Sequence, residues 1–152
     1  ILEPELLKQN GSGDRLGRVL IATVKDDIHD IGKNIVTLLM KSAGFEVVDM
    51  GVDKSSEEIL ETAKKEEVDV IGLSALLTTT MPSMKTTIEA LQEAGIRDQV
   101  KVIIGGAPVT QKYADEIGAD GYASDAIEGV DAIKQMVEEI KMAMAELEKR
   151  VE

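Results

Sequence analysis

Short apolar runs alternate with helical patterns along most of this chain, and that alternation admits few folds. "RVLIATV" (18–24), "FEVVDM" (45–50), "VDVIGLS" (68–74), "VKVIIG" (100–105) and "ADGYA" (119–123) read as strands. The first, third and fourth are almost continuously apolar, as expected of strands buried on both faces. Between them lie helical patterns: 33–43, a second to about Glu66, a third from near Pro82, and a fourth ending at Gly118. Ser55 with Glu58 three residues later forms a capping box that opens the second. Gly44, Gly95 and Gly118 each follow a helix and precede a strand, the usual position for a residue that stops a helix. Five strands separated by helices predict a parallel sheet with right-handed crossovers and helices on both faces, an α/β doubly wound arrangement. Ligands of such sheets sit at the carboxyl ends of the strands, where strand order reverses. The loops that matter are therefore 25–32, 74–81, 105–109 and 122–125.

The first of these reads "DDIHDIGKN" (26–34) and holds the only histidine of the chain, His29. A single loop histidine is usually just hydrogen-bonded or exposed. Here Asp27, two residues earlier, can accept from one ring nitrogen, fix the tautomer and make the other nitrogen a better ligand. Gly32 lets a bulky group approach the backbone. A closed zinc site would need further His or Cys ligands, and the chain has neither. One protein ligand suits a metal whose other positions a macrocycle already fills.

Composition narrows the partners. Seventeen basic against 29 acidic residues give a net charge of −12, which repels phosphate backbones and argues against nucleic acid. One Phe, two Tyr and no Trp leave little for base stacking. No apolar run approaches the length of a membrane span. The absence of cysteine fits a reducing cytoplasm and excludes a disulfide framework.

"DIHDIG" (27–32) matches the D-x-H-x-x-G signature of cobalamin-binding domains, to which two companion elements add weight. "SAL" (74–76) begins after 41 residues that follow Gly32, and "GG" (105–106) begins after 28 that follow Leu76. Three elements in this register on the three right loops resemble the corrinoid protein of a methyltransferase system, related to the cobalamin domain of methionine synthase. The resemblance spans nearly all of residues 15–125 and implies a flavodoxin-like, Rossmann-like sheet. It divides the chain into a linker or remnant of an upstream helical element (1–13, broken by Gly11, Ser12 and Gly13) and a cobalamin-binding domain (14–152). Because the chain opens at Ile1 rather than Met, it reads as trimmed or as part of something longer.

Carried over residue by residue, the resemblance implies that His29 is the lower axial ligand of cobalt. It would displace the dimethylbenzimidazole of the cofactor (base-off, His-on), with Asp27 holding its far nitrogen. The loop residues Ile28, Asp30, Ile31 and Gly32 would contact the cofactor. Ser74 and Leu76 would line the deep pocket for the displaced nucleotide tail, and Gly105 and Gly106 would leave room for it. Asp27, Thr78, Thr80, Tyr122 and Ala123 complete the expected contacts. Thr80 stands where methionine synthase has a serine that extends the His–Asp relay. Asp26, where relatives commonly have Gly, has no reading from sequence. Thr78 and Thr79 read first as caps for the helix at Pro82.

The implied function is a methyl carrier, in which cob(I)alamin takes a methyl group from a substrate-specific methyltransferase. Methylcob(III)alamin then passes it to a second methyltransferase acting on coenzyme M or tetrahydrofolate. With no substrate-pocket chemistry of its own, the chain reads as a carrier subunit rather than a complete enzyme. Two alternatives stand beside this. One is the cobalamin-binding subunit of an adenosylcobalamin-dependent mutase. The other is a flavodoxin-like or receiver-like module without cobalamin, which Asp26 and Asp27 would suit. A receiver, however, needs a phosphoacceptor Asp after the third strand, where Ser74 and Ala75 stand.

The last helical pattern runs from Ser124 to about Arg150, roughly 40 Å at 1.5 Å per residue. Its apolar positions are Ile127, Val130, Ile133, Val137, Ile140, Met144, Leu147 and Val151. From Ile133 onward their 4,3 spacing matches a coiled-coil seam. The first half is expected on the sheet, and residues 127–151 offer a surface for a partner helix.

Overall fold

The computed structural model describes residues 17–151; the expected linker over residues 1–13 lies outside them. Five strands, β1 (Arg18–Val24), β2 (Glu46–Lys54), β3 (Val70–Ser74), β4 (Lys101–Gly105) and β5 (Gly121–Ala123), form one parallel sheet in the order β2-β1-β3-β4-β5. Helices α1 (Ile31–Ser42), α2 (Ser56–Glu66), α3 (Pro82–Glu93), α4 (Gln111–Ile117) and α5 (Ala126–Val151) connect and flank them, with a 3₁₀ turn at Arg97–Gln99.

Side chains alternate across the sheet and build two cores. Leu20, Ala22, Ile71, Leu73, Val102 and Ile104 face α2, α3 and α4. Val19, Ile21, Val70 and Ile103 face α1 and α5, where Met40, Val130, Ile133 and Val137 meet them. The order of strands reverses between β1 and β3, so their carboxyl ends open the crevice in which such sheets bind ligands.

Local chemistry sets the element ends. The capping box is complete: Ser55 Oγ accepts from the Glu58 N–H, while Glu58 accepts from the Ser55 N–H. Strand β2 runs four residues past the expected Met50, because Gly51 (φ +91°) and Asp53 (φ +55°) absorb two register shifts against β1. Neither Thr78 nor Thr79 caps α3. Its N-cap is Met81, with no side-chain cap bond. Pro82 at the first helical position removes one of the donors a cap would serve.

Helix α5 is as long as its pattern predicts, and only its first half is covered. Val130, Ile133, Met136 and Val137 are buried and Ile140 is half-buried. Ile127, Met142, Met144 and Leu147 are exposed, so the second half projects beyond the sheet.

Candidate functional site

The loop after β1 begins with a tight turn in which the Asp27 N–H donates to the Val24 carbonyl at 3.1 Å. Asp26, the third residue of that turn, has φ +70°, the left-handed conformation that a type II turn requires there. This accounts for Asp26. Glycine adopts that conformation freely, and Asp is among the few other residues that tolerate it. Its N–H donates to Asp53 Oδ1 at 2.8 Å, tying the turn to the end of β2.

The turn delivers Asp27 into the crevice, fully buried. Its carboxylate accepts four hydrogen bonds. Oδ1 takes the His29 ring Nδ1 (2.9 Å) and the His29 backbone N–H (3.0 Å). Oδ2 takes the Leu76 backbone N–H (2.8 Å) and the Thr80 hydroxyl (2.7 Å). Burial pushes this carboxyl's pKa up. The donors, led by the Leu76 N–H and the Thr80 hydroxyl, outweigh burial and hold it well below the usual carboxylate range. Thr80 Oγ also lies 2.9 Å from the Leu77 carbonyl. Its single hydrogen serves the charged and closer acceptor better.

An ionised Asp27 makes Nδ1 the protonated ring nitrogen of His29. Nε2 makes no hydrogen bond among the described residues, and the side chain is 47% exposed. His29 is held from its other side as well. The Thr23 hydroxyl, fully buried on β1, donates to the His29 carbonyl at 2.9 Å and lies 3.1 Å from Ser74 Oγ.

Below the loop a cavity of about 540 Å³ runs between the sheet and the pair α1 and α5. His29, Ile28, Asp30, Ile31 and Gly32 line its mouth together with Leu76, and Ser74, Gly105, Gly106 and Ala123 line its wall. Ile28 (74% exposed) and Ile31 (77%) leave an apolar rim of the kind that a flat ligand covers.

Four expected contacts are not in the lining of this cavity: Asp27 and Thr80 are buried, bonded to each other, with Asp27 also holding His29. Tyr122 pairs with Ile104 in register and packs on the opposite face of the sheet, so only its neighbour Ala123 reaches the cavity. Thr78 is exposed and outside the lining.

The glycines also meet steric limits within the fold itself. A Cβ on Gly106 would lie 1.8 Å from the Ala75 carbonyl oxygen, and its φ is +131°. On Gly105 it would lie 3.1 Å from the Ala123 carbonyl. Close backbone approach between strand ends therefore demands glycine at 106 and leaves a side chain at 105 little room, independently of any ligand. Gly32 is the opposite case: nothing lies within 4 Å of its missing Cβ, although it lines the cavity.

Several participants went unseen in sequence. Gly72 sits between Ile21 and Ile103 in register and opens the cavity floor, and Gly129 on α5 lines the same cavity. Glycine inside a strand or a helix is the signal that marks such close approaches. Lys33 is buried at the cavity side, with its ammonium on Asp49 Oδ1 at 2.8 Å and on Asn34. Thr23 carried no signal, because a Thr in a buried strand looks like any other β-branched core residue.

No cluster of His, Cys, Asp and Glu that could hold a bare ion occurs among the described residues. One imidazole with an uncommitted Nε2, a rim of exposed isoleucines and a deep, mostly apolar cavity fit a corrinoid, whose ring already holds its metal in four places.

Comparison with known proteins agrees. The "B12 binding domain" family matches residues 17–131. The chain is 49% identical over 133 residues to the "Dimethylamine corrinoid protein" of Methanosarcina barkeri, covering 88% of this chain and 62% of that protein. A crystal structure of a cobalamin-binding protein from Desulfitobacterium hafniense superposes with TM-score 0.78 at 38% identity, over 81% of this chain and 60% of the other. The methanol:cobalamin methyltransferase complex MtaBC from Methanosarcina barkeri matches with TM-score 0.76 at 33% identity, over 88% of this chain and 52% of that one. The chain thus spans less than two thirds of the length of these relatives. Among the described residues no helix is long and apolar enough to cross a membrane. With its histidine, its carboxylate partner and its cavity at the switch point of a five-stranded parallel sheet, the chain belongs to the B12-binding domain family.

Proposed function

We propose that this chain is the corrinoid-carrying part of a methyltransferase system, moving a methyl group between a substrate-specific methyltransferase and an acceptor methyltransferase. The observation that carries the reading is the Asp27 carboxylate, whose four donors leave Nε2 as the free nitrogen of His29. A bound corrinoid supplies a cobalt that accepts a methyl group and gives it up.

The protein's own residues do the rest. His29 would hold the metal through Nε2. Asp27 keeps the proton on Nδ1 and would stabilise an imidazolium when Nε2 is released. Thr80 and the Leu76 N–H keep Asp27 ionised, so a proton entering this pair rests on the imidazole and not on the carboxylate. Ser74 and the backbone at Gly105 and Gly106 would flank the nucleotide tail, and Gly32 leaves space where a side chain would stand.

The likeness to a dimethylamine corrinoid protein supports a methylated amine as donor, and that to the MtaBC complex supports a methyltransferase partner. The exposed Met144 and Leu147 on α5 add a surface for a partner helix. A chain without cysteine suits the reducing cytoplasm, where we place it.

Mixing the protein with hydroxocobalamin, desalting and recording the visible spectrum tests the reading. Retained cobalamin whose spectrum changes in His29→Ala supports it. A desalted protein free of cobalamin refutes it. Methyl transfer from a methylated amine, given a donor methyltransferase, then separates the carrier from a mutase subunit.

A further inference from the structure

The Asp27 side of His29 is tied by two donors from the loop after β3, yet the carbonyl side hangs on one hydroxyl. Thr23 and Ser74 are register partners on adjacent strands β1 and β3, with their oxygens 3.1 Å apart. Each hydroxyl has one hydrogen. The His29 carbonyl can only accept, so at 2.9 Å it takes the Thr23 hydrogen. The contact between the hydroxyls is then bonded only if Ser74 donates to Thr23. The Ser74 hydroxyl makes no other hydrogen bond among the described residues, and Ser74 is half-buried and lines the cavity. The result is a one-way chain: Ser74 hydroxyl to Thr23 hydroxyl to His29 carbonyl.

We propose that Thr23 is a positioning residue for His29, and that it relays occupancy of the deep cavity at Ser74 to the backbone of the histidine loop. Each bond in such a chain polarises the next. A cavity ligand that presents an acceptor nitrogen competes for the Ser74 hydrogen, and Thr23 then loses the donor that strengthens its hold on His29. A ligand without that nitrogen leaves the chain intact. Thr23 is β-branched, buried and inside a strand paired on both sides, so its hydroxyl has little freedom to find another partner. His29 is thereby fixed at its ring and N–H by Asp27 and at its carbonyl by a sensor of the cavity wall.

The test uses the full chain in three forms: wild type, Thr23→Val, which keeps the shape and removes the hydroxyl, and Thr23→Ser, which restores it. Hydrogen exchange at the His29 amide is read first without ligand. Losing one neutral hydrogen bond corresponds to about three- to tenfold in a local opening equilibrium. The expected result is exchange faster by that factor in Thr23→Val, close to wild type in Thr23→Ser, and unchanged at the core amide of Ile71 in both. The same amide is then read with cobalamin and with cobinamide, which lacks the nucleotide tail. Wild type should differ between the two ligands by at least about threefold, and Thr23→Val by less than about twofold. If Thr23→Val does not fold, Ser74→Ala serves, since it should erase the difference between the ligands while keeping the Thr23 tether. Equal exchange in wild type and Thr23→Val overturns the positioning role, and a ligand difference that survives in Thr23→Val overturns the relay. The second arm rests on the corrinoid reading. Wild-type protein that retains neither corrinoid overturns that reading, and the ligand-free comparison still decides the tether.

Discussion

Replacing Asp27 by Asn tests whether this carboxylate is a charged hub holding the loops after β1 and β3 together. Two donors converge on each of its oxygens at 2.7–3.0 Å. An amide keeps one oxygen and turns an NH₂ group toward the other pair. With NH₂ at the Oδ1 position, the imidazole can change tautomer and accept, but the His29 N–H loses its partner. With NH₂ at the Oδ2 position, the Thr80 hydroxyl can turn to the Leu77 carbonyl, 2.9 Å away, and the Leu76 N–H loses its partner. Either way one backbone donor is orphaned, at about 1–3 kcal/mol, and the remaining bonds lose their charge assistance. The sum is about 2–4 kcal/mol. Urea unfolding of the ligand-free protein should show it as a fall in midpoint of roughly 1–2 M at the slopes usual for small domains. The sign of the pH dependence follows from the depressed pKa of Asp27. The stabilisation is complete above the ordinary Asp pKa of about 3.9 and is lost as pH falls toward the folded value. The part of the difference between wild type and Asp27→Asn that comes from the Asp27 charge should therefore shrink below about pH 4. Asp30→Asn, at an exposed N-cap without a side-chain cap bond, is the control and should change stability by less than about 0.5 kcal/mol. A cost for Asp27→Asn no larger than that of the control would refute the hub.

Three further substitutions separate effects on the fold from effects on the site. Gly106→Ala should prevent folding or cost more than about 3 kcal/mol by thermal melting, because its Cβ meets the Ala75 carbonyl at 1.8 Å. Gly32→Ala should leave the melting temperature unchanged or raised, as nothing opposes its Cβ and Ala favours a helix by about 0.5–1 kcal/mol; it should instead weaken cobalamin retention on desalting. The ion pair of Lys33 and Asp49 should be asymmetric in urea unfolding. Lys33→Met leaves a half-exposed Asp49 that still accepts from the Gly51 N–H, at a cost below about 1.5 kcal/mol. Asp49→Ala strands a buried ammonium with Asn34 alone and should cost about 3 kcal/mol or more.

What sequence alone determined here is whatever depends on local periodicity and short-range chemistry. Apolar runs of strand length separated by helical patterns dictated five parallel strands, because only crossovers join strands in that order of elements. The Ser55 and Glu58 box, Pro82 and the glycines at helix ends act over three or four residues and were legible for that reason. The D-x-H pair was equally local: two residues suffice to bring a carboxylate to the histidine ring. Tertiary structure decided everything that needs two segments to meet. It brought the Leu76 N–H and the Thr80 hydroxyl, some fifty residues away, onto Asp27. It turned Tyr122 to the face opposite the cavity, and it made Gly106 a steric necessity of two touching strand ends. It gave Asp26 its left-handed turn, anchored to Asp53, and gave Thr23 its hold on His29. Which half of α5 is covered was also decided there, because a heptad pattern states that a seam exists and only the reach of the sheet sets where burial stops. Spacing along a chain fixes which residues share an element. The partner that each residue meets across the crevice follows from the reversal of strand order between β1 and β3.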